Sequence, residues 1–104
     1  MTTVNPSFTV LDGRRFQITW AALSPSDEGA PVEVSGAQWR SFQVLGGSPI
    51  GSVDINVSND GSNWGNPVSL TDRTPTDFNN RARYVKPVRA GGSGATDVIL
   101  ICSN

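Results

Sequence analysis

The sequence predicts an all-β protein, a single antiparallel β-sandwich of the jelly-roll type with about eight short strands. Three observations carry this expectation. Apolar and polar residues alternate with a period of two in short runs, as half-buried strands require. Gly, Pro, Asn and Asp interrupt these runs at intervals of about 8–12 residues. Apolar residues at helical spacing never persist, because Pro or Gly recurs too often. A chain of 104 residues is the size of one core. Residues 1–104 are therefore expected as one domain, with 1–7 as an extended N-terminal arm.

Phe8 to Leu11 forms the first strand. Asp12-Gly13 predicts a two-residue type I′ hairpin, whose central positions both need positive φ. The return strand, Arg15 to Ala22, sends Phe16, Ile18 and Trp20 to one face and Gln17 and Thr19 to the other. Leu23 to Pro31 is a loop by composition. Val32 and Val34 begin a strand broken at Ser35-Gly36, and Trp39 to Leu45 resumes extended chain until Gly46-Gly47-Ser48-Pro49.

Gly51 to Ser58 is the clearest strand, with Val53, Ile55 and Val57 on its apolar face. Asn59 to Asn63 turns the chain, with Asp60 and Gly61 as its centre, and Val68 to Thr71 follows. Asp72 to Asn80 is a polar loop. Arg81 to Arg89 is a strand in which Pro87 demands an edge position or a bulge. A bulge near Lys86 turns both Tyr84 and Val88 inward. Gly91 to Gly94 makes a flexible hairpin loop, and Thr96 to Cys102 closes the domain with Val98-Ile99-Leu100-Ile101 covered on both faces. The expected core is Phe16, Ile18, Trp20, Val53, Ile55, Val57, Tyr84, Val98 and Leu100.

Composition narrows function by exclusion. The chain has no His, which removes a Ser–His–Asp triad, a His-ligated zinc and an imidazole base. One Cys, Cys102, allows neither an internal disulfide nor a cysteine metal cluster. Charged residues make up 16%, below the roughly 25% of ordinary soluble proteins. A net charge of −1 argues against bulk electrostatic binding to nucleic acid or acidic membranes. No apolar run approaches a membrane span, and the first residues lack the basic and apolar regions of a signal peptide.

Asp54, Asn56, Ser58 and Asp60 alternate like the ligands of a calcium loop, but the sixth residue is Asn59 and the twelfth is Gly65. A solvated strand face is the better reading. Gly91 to Gly94 precedes a strand rather than a helix N-terminus, which disfavours phosphate binding. Asp27-Glu28 has no second carboxylate assigned across a cleft, so glycoside hydrolysis has no support. The chain is expected to be non-enzymatic and to need no cofactor.

Seven Arg stand against one Lys, and Arg73, Arg81, Arg83, Lys86 and Arg89 fall within residues 73–89. Arg favours interfaces because its planar fork makes several hydrogen bonds and stacks on neighbours. These five, with Trp39 and Arg40, are the candidate interface, against the plainer reading of a solvated strand and loops. Trp20 belongs to the core. Trp64 follows a tight turn and closes one end of the sandwich.

Val57-Ser58-Asn59-Asp60-Gly61-Ser62-Asn63-Trp64 resembles the "S-x-D-G-x-x-W" hairpin of discoidin-like, galactose-binding-like β-sandwiches, and Ala82 to Lys86 resembles their "A-R-Y-V/I-R" strand. The resemblance covers residues 53–102 and implies architecture only. The same pairing in a short Ser/Thr/Asn-rich chain also resembles small bacteriophage virion proteins of the capsid cement or decoration type. That resemblance implies a virion structural protein made in host cytoplasm. Such a protein works as a homo-oligomer on the capsid surface by binding neighbouring capsid or other virion proteins. The alternative is a lectin-like module, on a phage tail or fibre, with Trp39 and Trp64 as platforms for a glycan.

Overall fold

The alternation in the sequence becomes eleven strands in a computed structural model that describes residues 2–34 and 37–103. They are β1 Thr3–Val4, β2 Ser7–Val10, β3 Arg15–Leu23, β4 Glu28–Gly29, β5 Val32–Glu33 and β6 Trp39–Gly46. β7 Ser52–Ser58, β8 Gly65–Leu70, β9 Thr76–Asp77, β10 Tyr84–Ala90 and β11 Thr96–Ser103 complete the chain. The eight expected strands are joined by β1, β4 and β9, each too short to show alternation. The break expected at Ser35-Gly36 lies outside the described residues.

Two sheets face each other. One runs β1-β4-β10-β7-β8, with β5 also paired to β10; the other runs β2-β3-β11-β6-β9. Consecutive strands mostly fall in different sheets, which is how a jelly roll winds its chain. Pairing is antiparallel except between β1 and β4, where Thr3 and Val4 lie parallel to Glu28 and Gly29. The segment expected as an extended arm is thus partly laid on the chain's own sheet.

Inward-facing Ile18, Trp20, Phe42, Val44, Val53, Ile55, Val85, Val98, Leu100 and Cys102 fill the space between the sheets. The Trp20 indole N–H donates to Ala30 O at 3.0 Å, satisfying its polar atom inside the core. Phe42 and Phe78 meet edge to face, with ring centroids 5.3 Å apart. Phe16 and Val57 are only partly buried against this cluster.

Strand β10 corrects the expected register. Its pairing with β7 runs without interruption from Tyr84↔Ser58 to Ala90↔Ser52, so there is no bulge near Lys86. Val85, Pro87 and Arg89 point inward, while Tyr84, Lys86 and Val88 lie half-buried on the outer face. Pro87 is accommodated differently. Arg89 N donates to Asp27 O, so the missing donor two residues earlier faces the same way. That side is the gap between β5 and β4, where no ladder bond is lost.

Three further expectations change. Gly13 is absent from the positive-φ residues, and Val10 pairs with Phe16 across a longer loop. The Asp12 carboxylate organises that loop, accepting from the N–H groups of Arg14 and Arg15 at 2.9 Å each. The Gly91 to Gly94 loop is exposed but tied down rather than free: Ser93 N donates to Pro49 O at 2.9 Å and Ser93 O accepts from Ser48 N at 3.1 Å. The outer face of β11 carries Ile99 and Ile101, half-buried, and no described residue forms a layer over it.

Candidate functional site

Strand alternation divides the seven candidate interface residues instead of gathering them. Arg89 points inward and is 1% exposed. Its guanidinium donates to Leu23 O at 2.7 Å, Ile50 O at 3.2 Å, Ser93 O at 3.1 Å, Pro49 O at 3.5 Å and Gly94 O. These carbonyls come from three loops at one end of the sandwich. Among the described residues no carboxylate takes part, so a planar five-donor fork is used to satisfy backbone acceptors.

Arg40 is likewise internal, at 2% exposure. It donates to Asn80 O at 2.6 Å and Val34 O at 2.9 Å, while its Nε has no partner among the described residues. Burial lowers its pKa, and burial likewise pushes the neighbouring Cys102 thiol up to about 11. Arg40 and Arg89 are therefore structural and do not belong to an exposed interface.

The remaining five are dispersed. Lys86 stands on the outer face of the six-stranded sheet, 3.2 Å from the Glu28 carboxylate and 4.5 Å from the Trp64 ring centroid. Trp64 is thus half-buried on that face under an ammonium group, rather than closing an end. Arg83 is bound to Glu33 and stacks over Tyr84 at 5.1 Å. Arg73 caps Gly46 O and Gly47 O. Arg81 is exposed, and Trp39, 46% exposed, begins β6 in the other sheet.

The turn residues are local devices. Gly61 has φ +79°, as a turn centred on it requires. The Asp60 carboxylate accepts from Ser62 N and Asn63 N at 2.8 Å, Ser58 Oγ at 2.9 Å and Asn63 Nδ2 at 2.6 Å. These donors, Asn63 N–H first, hold its pKa well below the usual carboxylate range. Asp54 instead accepts from Ser69 Oγ at 2.6 Å. Among the described residues no three His, Cys, Asp or Glu side chains converge to hold a metal.

A different surface forms an open concavity. Among the described residues strand β2 pairs only with β3, and all four of its residues are exposed. Phe8 and Val10 pair with Ile18 and Phe16, so their side chains share the core-facing side of the sheet. They remain 63% and 79% exposed, because the opposing sheet does not reach over them. The overhang forms a groove of about 330 Å³ lined by Phe8, Val10 and Phe16 together with Asp12, Arg14 and Arg15. Sequence reasoning treated Phe8 to Leu11 as an ordinary strand. Its one available signal was an apolar alternation with no opposing strand assigned to cover it.

Two sheets wound in this order over a closed apolar interior define a jelly roll of the cupin, or double-stranded β-helix, type. The SPBc2 prophage-derived protein YomS superposes with a TM-score of 0.67 at 16% identity, covering 92% of this chain and 100% of that one. A cupin domain from Bordetella pertussis Tohama I gives 0.55 at 12% identity over 99% and 96%. An RmlC-like cupin family protein from Methanocaldococcus jannaschii gives 0.59 at 5% identity over 94% and 77%. No protein-family model and no curated protein matches the sequence.

These likenesses overturn the expected kinship with discoidin-like sandwiches and with capsid cement proteins. The fold is cupin-like across nearly the whole chain. Of the motifs that suggested otherwise, the first lies in a hairpin whose Asp60 and Ser58 satisfy its own backbone, a solution open to any sandwich, and the second leads into β10. Cupin folds include both enzymes and non-enzymes, so the fold leaves activity open. Here the inter-sheet space is occupied by Trp20, Phe42 and aliphatic side chains, which do not suit a metal or a polar substrate.

Proposed function

We propose that this chain is a non-enzymatic structural protein of a phage particle, a cupin-fold module that holds neighbouring virion subunits together by surface contact. The observation that carries the reading is the β2–β3 overhang. It combines exposed Phe8 and Val10 with an unpaired strand edge, a combination that invites an added strand from a partner. Arg15 is paired with Asp12, while Arg14 makes no ion pair among the described residues. The occupant is an extended apolar segment of another virion subunit that carries a carboxylate to meet Arg14. Likeness to a prophage-derived protein supports this reading.

The test is recovery of the chain with purified particles of the phage that encodes it, beside a variant carrying Phe8→Ser and Val10→Ser. Wild-type chain in the particles and loss of the folded variant from them support the proposal. Absence of the wild-type chain, with specific binding on a glycan array or turnover of a small molecule, overturns it.

A further inference from the structure

We infer that the β2 edge takes its partner segment as an antiparallel strand of the pattern acid-x-apolar-x-apolar, with the acid meeting Arg14. This deepens, and rests on, the reading of the overhang as a docking site. The hydrogen-bonding frame of the edge follows from one contact at its end. Leu11 N donates to Arg15 O at 3.0 Å, next to the Val10↔Phe16 pair. Bonded and unbonded pairs alternate along an antiparallel ladder, so Ser7↔Thr19 and Thr9↔Gln17 are bonded, while Phe8↔Ile18 and Val10↔Phe16 are not. The N–H and C=O groups of Phe8 and Val10 therefore point away from β3, out of the sheet edge. Among the described residues no partner meets them. The same two residues line the groove with their side chains. The other strands at the ends of the sheets offer less: β1 and β9 have two residues each, and β8 contains Pro67.

Direction follows from the shortness of that frame. An antiparallel segment satisfies all of its groups with two residues, one exchanging both bonds with Val10 and one with Phe8. A parallel segment slants its bonds to flanking residues and must run on past both ends of the frame. The strand offers one residue before Phe8, preceded by Pro6, so the antiparallel segment fits the edge. Opposite residues share a face. The two that meet Val10 and Phe8 therefore lie on the groove side and are apolar, while the one between them faces away and is polar. Running antiparallel, the segment begins at the loop that follows Val10, where Asp12, Arg14 and Arg15 line the groove. Asp12 is bound to Arg15, and Arg14 makes no ion pair among the described residues, which leaves a positive charge to match. A carboxylate two residues before the first apolar one falls on the same face, at Arg14.

The test uses two synthetic peptides with blocked ends, Ser-Glu-Thr-Val-Thr-Val-Ser and its reversed sequence, titrated into isotope-labelled chain and followed by amide resonances. Reversal moves the Glu to the Ser7 end of the edge, away from Arg14. The forward peptide is expected to bind about two- to fivefold tighter than the reversed one at low salt, the gain of one exposed ion pair. Arg14→Gln is expected to erase that preference and leave the weaker affinity in place. At saturation the amides of Phe8 and Val10 are expected to gain protection from hydrogen exchange, whereas Thr9, already bonded to Gln17, changes little. Equal binding of the two peptides, tighter binding of the reversed one, a preference that survives Arg14→Gln, or no binding of either overturns the inference. Protection of Phe8 and Val10 that rises with chain concentration alone also overturns it and puts a second copy on the edge. Recovery with phage particles is a separate readout. Its failure beside an intact peptide preference overturns the virion reading alone, and recovery without the preference overturns this inference alone.

Discussion

Gly29 lies directly against the indole of Trp20: a Cβ at that position would stand 2.5 Å from Cδ1 and 2.6 Å from Nε1. Pro87 Cδ closes the third side at 2.7 Å. All three groups are held by the core, so none can withdraw without opening a void. Gly29→Ala is therefore expected to destabilise by about 2–3 kcal/mol. The denaturant midpoint measures it, and an unchanged midpoint would mean that the indole does not pack there.

Arg89 and Arg81 are expected to respond oppositely, although both were read as interface residues. Removing the Arg89 guanidinium leaves several buried carbonyls without donors, so Arg89→Met should cost more than about 3 kcal/mol. Arg89→Lys should recover little of this, because an ammonium lacks the planar fork. Arg81→Ala, at an exposed site, should stay within about 0.5 kcal/mol. Equal effects on stability would contradict the burial assigned to Arg89.

Gly61→Ala tests backbone conformation alone. The added methyl would meet Tyr84 at 3.7 Å, an ordinary contact, so the cost is that of positive φ, about 1 kcal/mol. Thermal denaturation should register it, whereas Gly65→Ala, with open space around it, should be nearly silent.

Acid should loosen the same hairpin. The folded pKa of Asp60 lies below its unfolded value near 3.9. Its stabilisation is thus complete above about pH 4 and is lost as pH falls through the folded value. Asp60→Asn should flatten the stability profile in that acid window. A profile identical to wild type would show that the carboxylate is not the group being titrated.

Cys102, with its thiol at about 11, should be inert toward a disulfide reagent at pH 8 in the native protein. One equivalent should react after unfolding. Fast native reaction would contradict its place in the core.

Much of the architecture was legible because strand faces speak through alternation. Val53 and Ile55 are inward as read, and Ile18, Trp20, Val98 and Leu100 share the core with them. Val57 drifts because the β7–β8 register slips between Ile55 and Val57, a property of the partner strand. Residues 81–89 offered two competing alternations, Tyr84 with Val88 and Val85 with Pro87 and Arg89. Apolar character favoured the first, and the burial of Arg89 decided for the second. That burial is invisible locally, since its acceptors lie at Leu23, Pro49, Ile50, Ser93 and Gly94. Asp12-Gly13 and Asp60-Gly61 look alike in sequence, yet only Gly61 takes positive φ. The groove was missed for a related reason: alternation assigns Phe8 and Val10 a side, not the reach of the sheet opposite.

The guanidinium of Arg89 has one more consequence. Three chain segments far apart in sequence end on a single side chain, and Ser48 and Ser93 add backbone bonds across two of them. None of these loops can lift away without stranding acceptors that belong to the others. In native-state hydrogen exchange, the amides of Ser48, Ser93 and Arg89 should then open as one cooperative unit, with a shared free energy. Loops of this length ordinarily fluctuate separately, and here one cation makes them a single lock on that end of the sandwich.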